Sequence, residues 1–220
     1  MAEAIDYKHI GSRPVRPDGV DKVTGRAEFG GDVSLPGMII GKILRSPHAH
    51  ARIKSIDITD ALAIPGVHAV ITGEDFPGGG ISGEIDGEGG GSISDQAKNV
   101  IARDKVLYHG HALAAVAAIS DRAADRALDA IKVEYEVLSP VLDILEAIDP
   151  DSVLVNENNY TKLPEKPDRP SNIANVGNLI RGDIQEGFGR ADVVIEREYV
   201  CPMTHQGYIE PHSCLASVDE

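Results

Sequence analysis

The chain has 220 residues, 42% of them hydrophobic and 25% charged, a globular composition sufficient for one large domain or one and a half smaller ones and incompatible with wholesale disorder. Aromatics are only 4% and Trp is absent, so the core must rest on Ala, Val, Ile and Leu, as in α/β or α+β domains, and stacked aromatics for nucleic acid bases are not expected. A formal charge of -14 repels phosphate backbones and anionic lipid, which argues against a nucleic acid or membrane-surface partner.

No run approaches the roughly 18 apolar residues that span a bilayer. The start, Met1 to Asp6, has neither a basic nor an apolar leader region, so a soluble, unexported, cytoplasmic chain is expected. Cys201 and Cys214 are the only cysteines and form no Cys-x-x-Cys, which suits a reducing compartment and leaves no ligand set for an iron–sulfur cluster or structural zinc in this chain.

In chain order, residues 1–36 are punctuated by Gly11, Pro14, Pro17, Gly19, Gly25, Gly30, Gly31 and Pro36, and read as an arm of short extended pieces. Met38–Leu44 and Ala51–Ile58 read as strands, joined through Arg45-Ser46-Pro47-His48-Ala49-His50. Thr59 or Asp60 is expected to cap a short helix through Ala61–Ala63, ended by Pro65-Gly66 before a strand Val67–Ile71. Residues 73–94 lose all periodicity and read as a long glycine-rich surface loop.

Val106–Tyr108 and Leu113–Ile119 are two apolar runs hinged at His109-Gly110-His111. Ser120 caps an expected helix with Ala124, Ala127, Leu128 and Ile131 on one face, and the next segment alternates Val133, Tyr135 and Val137 with charged residues as a strand. After Pro140 comes a short apolar helix over Leu142–Ile148, then a proline-rich connection containing Pro164, Pro167 and Pro170. Asp183 is expected to cap a helix over Ile184–Gly189, and strands are expected over Asp192–Val200 and Ser213–Val218.

Gly78-Gly79-Gly80-Ile81-Ser82-Gly83 satisfies a dinucleotide-loop string, but more glycines follow where a helix is required. Glu84, Asp86 and Glu88 imitate half of a calcium loop without flanking helices, and read as a solvated acidic loop. His48-x-His50 and His109-x-His111 each place two imidazoles on one side of an extended segment. Together they could build a tetrahedral metal site, or each could tie a turn by hydrogen bonds. His205, Glu210 and His212 form a stretch dense in proton-transfer groups, where Glu210 is either an acid–base group or a buried carboxylate answering backbone donors at a domain junction.

Several stretches together resemble the molybdopterin-binding subunit of the xanthine oxidase and aldehyde oxidase family of molybdenum hydroxylases. They are Arg16–Ala27, Leu44–Ile53, Pro65–Val70, Gly182-Asp183 followed by Ala191–Val194, and His205–Pro211. The resemblance implies an α+β fold: an α/β hammerhead domain followed by the first strands and helix of a molybdenum-binding domain. The expected divisions are an arm (1–36), the hammerhead (37–148), a linker (149–178) and an incomplete start of the molybdenum-binding domain (179–220). Ala112 departs from the family, which commonly carries Pro there.

For function, the resemblance implies an oxidoreductase of the xanthine dehydrogenase and aldehyde oxidase type, acting on an aldehyde, N-heterocycle or related substrate. This chain is expected to be the front piece of its catalytic subunit, split or truncated, and inactive alone. The cofactor is a molybdenum–pterin in the assembled enzyme. Iron–sulfur and FAD are expected on partner subunits, with the remainder of the molybdenum-binding subunit as a further partner. The resemblance assigns no catalytic, cofactor-binding or metal residue to any position of this sequence. Two other readings are a non-catalytic hammerhead interaction module and a small histidine-based metal-binding protein.

Overall fold

A computed structural model describes residues 8–76, 84–85, 91–92, 99–163, 165 and 167–218. Contacts divide the chain into one unit of Met38–Val194 and another formed by Met1–Gly37 with Ile195–Glu220.

The first unit is built on two antiparallel three-stranded sheets. Strands β1 (Ile40–Arg45), β7 (Ala112–Ala118) and β3 (Val67–Thr72) form one in the order β1-β7-β3. Strands β6 (Lys105–Val106), β2 (Ala51–Asp57) and β8 (Lys132–Val137) form the other in the order β6-β2-β8. A two-residue pair, β4 (Glu84–Ile85) and β5 (Gly91–Ser92), stands apart. Most of the glycine-rich stretch 73–94, with the dinucleotide-like string and the calcium-like string beyond Glu84 and Ile85, lies outside the described residues.

Helix α2 (Thr59–Leu62) joins β2 to β3, and helix α3 (Asp121–Ala130) joins β7 to β8. Ser120 caps α3 as the sequence suggests, its hydroxyl accepting from the Ala123 amide at 3.3 Å. The cap of α2 differs from expectation: Ile58 occupies the cap position, and the Asp57 carboxylate accepts from the Thr59 amide at 2.9 Å. Asp57 ends β2 in the right place to reach that amide, so neither Thr59 nor Asp60 is needed.

The apolar face of α3 lies on the β1-β7-β3 sheet. Ala123, Ala124, Ala127 and Ile131 meet Ala61, Val70, Ala114, Val116 and Ala118, nearly all of them small, so helix and sheet approach closely without aromatic filling. A second buried group, Ala51, Ala102, Val106 and Leu113, fills the space over β2, and Leu44, Ile56 and Val133 pack against both groups. The two sheets therefore share one continuous apolar interior.

Helix α4 (Ile144–Ile148) is capped by Asp143, which accepts from the Leu145 and Glu146 amides, but it buries no side chain. The chain then returns along β2 and β6. Glu157 accepts from Lys105 Nζ at 2.9 Å and from Arg52 at 3.2 Å, and Lys105 also reaches the Leu154 carbonyl. Asn159, Thr161, Ser171 and Asn172 bond the two arms of this return to each other, and Lys162 bridges Asn175.

Asp183 caps helix α5 (Ile184–Arg190), as expected, by accepting from the Glu186 amide. The strands expected over Asp192–Val200 and Ser213–Val218 do not form; neither segment pairs with a neighbour among the described residues. An alternating pattern becomes a strand only when a second strand satisfies its amides and carbonyls, and none of the described strands does so here.

In the other unit, α1 (Gly19–Thr24) ends at Gly25, whose φ of 72° is the left-handed closure that glycine accepts without strain. Cys201 and Cys214 are exposed and unbridged. No described helix is long and apolar enough to cross a membrane.

Candidate functional site: the paired crossovers

The chain passes from one sheet to the other twice, and the two crossings lie side by side. The first is Arg45–His50, between β1 and β2; the second is Leu107–His111, between β6 and β7. The Ser46 amide donates to the His111 carbonyl at 2.9 Å, and the Gly110 amide donates back to the Ser46 carbonyl at 3.0 Å. Arg45 Nη1 reaches the Gly110 carbonyl at 2.9 Å. Gly110 turns the second crossing with φ of 84°, again in the left-handed region.

Buried polar side chains fill the space between. Ser46, His50 and His111 are each at most 2% exposed. The Ser46 hydroxyl bonds its own turn through the His48 amide and carbonyl. His50 Nδ1 lies 2.7 Å from the Ser139 carbonyl, and the Leu138 amide donates to the His50 carbonyl, which fastens the end of β8 to the same joint. A carbonyl only accepts, so Nδ1 carries a proton, while Nε2 is buried with no hydrogen-bond partner among the described residues.

His111 Nδ1 accepts from the Leu107 amide at 3.2 Å, while Nε2 lies 2.7 Å from the Asn99 carbonyl and donates to it. Tyr108 stacks on its ring at 4.4 Å, and His48 meets Tyr135 edge to face at 4.8 Å. Burial pushes the His111 imidazole below its ordinary value against the opposing bond to Asn99, and burial pushes the Tyr135 phenol up against a bond to Ser46.

The two His-x-His motifs are thus brought together, but as a structural joint. The His50 and His111 nitrogens that find partners bond carbonyls and an amide, and no cluster of three ligand-type side chains occurs among the described residues. This is the hydrogen-bonding reading of the histidines, on a larger scale than a local turn. Sequence reasoning met Ser46 only as part of the Arg45–His50 connection and did not single out Asn99.

The proton-transfer stretch belongs to the other unit. Tyr208 stands edge-on to both His205 and His212, and Glu210 Oε1 accepts from the Gly30 amide at 3.3 Å. Glu210 does answer a backbone donor, but it is exposed, so its expected burial is corrected. A cleft of about 230 Å³ between α4 and the return segment is lined by Ile148, Leu154, Leu163 and Ile173, and its Thr161 and Asn172 side chains already bond the segment itself.

Residues 24–139, just over half of the chain, match the family described as aldehyde oxidase and xanthine dehydrogenase, a/b hammerhead domain. The chain belongs to the aldehyde oxidase and xanthine dehydrogenase family. Residues 165–220 match the molybdopterin cofactor-binding domain, so the α+β fold, a hammerhead followed by the beginning of a molybdenum-binding domain, agrees with the sequence reading.

Among relatives, the chain is 36% identical over 202 residues to a probable xanthine dehydrogenase subunit of Bacillus subtilis (strain 168), covering 92% of this chain and 24% of that protein. It is 33% identical over 214 residues to the nicotinate dehydrogenase large molybdopterin subunit of Eubacterium barkeri, covering 97% of this chain and 45% of that one. The solved structure of a Cu,Mo carbon monoxide dehydrogenase in its carbon monoxide reduced state superposes with a TM-score of 0.61 at 30% identity, over 83% of this chain and 23% of that one. The chain therefore spans between about a quarter and just under half of the length of these curated relatives.

Whether the residues present could hold a molybdenum–pterin group is testable on their arrangement. Every described residue from 174 to 218 is exposed, and Glu210 is engaged by Gly30. A redox cofactor needs a shaped, water-poor cavity with oriented donors, and these residues do not form one on their own.

Proposed function

We propose that this chain supplies the hammerhead scaffold of a molybdenum-dependent hydroxylase or dehydrogenase, oxidising an aldehyde, N-heterocycle or related substrate. The match of residues 24–139 to the hammerhead family, with 165–220 continuing into the cofactor-binding domain, carries the reading. In this proposal residues 1–36 are an arm, 37–148 the hammerhead, 149–178 the connection and 179–220 the beginning of the molybdenum-binding part.

The hammerhead's contribution is positional. Its closed core and hydrogen-bonded joint present a rigid wall, whereas the exposed Val193, Ile195, Tyr199 and Val200 offer apolar surface for the remainder of the molybdenum-binding subunit. The molybdenum–pterin group, when held by the assembled enzyme, supplies the redox chemistry. Electrons pass to iron–sulfur and FAD groups on partner subunits, in the cytoplasm.

Native mass spectrometry and elemental analysis of the complex purified from its own cells test this. Co-purifying iron–sulfur and flavin chains, stoichiometric molybdenum, and dye reduction with aldehydes or hypoxanthine are expected from the complex, with neither molybdenum nor turnover from the 220-residue chain alone. Recovery without redox partners or molybdenum would leave the non-catalytic hammerhead module as the better account.

A further inference from the structure

The two sheets are joined through crossings that each contain one fully enclosed imidazole. We propose that His111 is the pin of a pH-sensitive lock between the two sheets: the joint is closed while the ring is neutral and opens when the ring takes a second proton from solvent.

The geometry leaves a second proton no place. Nε2 already spends its hydrogen on the Asn99 carbonyl, so the incoming proton must go to Nδ1. That atom faces the Leu107 amide, itself a donor, 3.2 Å away. Protonation therefore sets one N–H against another and turns an accepted hydrogen bond into a repulsive contact inside a site with no water access.

The charged and titratable neighbours do not relieve this. Arg45 brings a guanidinium to the Gly110 carbonyl next in the chain, and its charge opposes a second cation. Tyr108 stacks on the ring, His109 is exposed in the same loop, and His50 occupies the facing crossing with its own proton on the Ser139 side. Tyr135 of β8 meets His48 of that crossing edge to face. No carboxylate among the described residues pairs with the His111 ring, and burial holds the imidazole below its ordinary value, opposed by the Asn99 bond.

The bonds most exposed to opening are those between the crossings, from the Ser46 amide to the His111 carbonyl and from the Gly110 amide to the Ser46 carbonyl. The ladder of β7 with β1 does not pass through the ring and stays closed.

The test is a pH titration of the 220-residue chain by NMR, following the ring nitrogens of His111 and the exchange protection of the Ser46 and Gly110 amides, corrected for intrinsic rates. Neutral His111 is expected to be the Nε2–H tautomer. Protection of both amides should fall at least tenfold with the same midpoint as ring protonation, below the ordinary histidine range, while Ala115 and Val116 keep theirs. His111→Gln can still donate to the Asn99 carbonyl and has no ring to titrate, so it should flatten the pH dependence of both amides. Protection that persists after the ring is protonated, or an unchanged pH profile in His111→Gln, would overturn the proposal. If the variant does not fold, separate midpoints for ring and amides in the unaltered chain overturn it equally.

Discussion

Strand β7 and the segment Asp192–Val200 both carry apolar side chains that could line a sheet, and they meet opposite fates. In β7, Ala114, Val116 and Ala118 are at most 1% exposed, because β1 and β3 pair on either side and α3 covers the face, and Leu113 is enclosed with Ala51, Ala102 and Val106. In 192–200, Val193 and Ile195 remain about three-quarters exposed at 75% and 74%. Pattern proposes a strand, and neighbours decide it.

The contrast can be broken most forcefully in the core. Leu113→Ala empties a fully enclosed site and should cost about 2–5 kcal/mol in urea unfolding. Ile209→Ala, at a fully exposed position, should lie within about 0.5 kcal/mol of the unaltered chain. Equal effects at the two positions would mean that residues 195–218 contribute to the core.

Glycines sharpen it next. A Cβ at Gly73 would come within 2.8 Å of the Ala102 carbonyl oxygen and the Arg103 Cα, where Arg103 clamps the Gly73 and Phe76 carbonyls. Both contacts are backbone, so Gly73→Ala should destabilise by about 1–3 kcal/mol. Gly187, inside α5, has nothing within 4 Å of its would-be Cβ, and Gly187→Ala should raise local helicity by circular dichroism without harm to the fold.

The helix caps make a finer comparison. Ser120→Ala removes the cap of a helix that is packed on the sheet, and should lower global stability by about 0.5–2 kcal/mol. Asp183→Ala removes an equivalent bond from α5, which buries nothing, so its loss should appear in local amide exchange and leave the unfolding midpoint unchanged.

A further effect is on pH. The folded His111 imidazole lies below its ordinary value, so the unfolded chain binds the proton more readily. Its contribution is fully present above about pH 6.5, the unperturbed value, and is lost as pH falls toward and through the folded one. The unfolding midpoint should decline over that interval, and less so in His111→Gln.

Local structure was legible in the sequence wherever neighbouring residues decide it. Ser120 with the 3.6-residue spacing of Ala124, Ala127, Leu128 and Ile131 announces α3, and Asp183 announces α5. The error at α2 is one of reach: Asp57 lies two residues before the amide it accepts from and also ends a strand. What could not be read is long-range. His50 and His111 stand out as motifs, but their bonds run to Ser139 and Asn99, and nothing in the spacing says that the two crossings touch. The strands expected at 192–200 and 213–218 fail for the same reason, since a ladder partner is a property of the fold.

Amide hydrogen exchange of the 220-residue chain, read peptide by peptide, tests most directly the claim that the hammerhead closes its own core while the segment after it does not. Slow exchange is predicted in β1, β2, β3, β7, β8 and α3, with exchange near the unfolded rate throughout 192–218. Slow exchange across 192–200 in the monomeric chain would contradict the account, because it would require a ladder partner that the described residues do not provide.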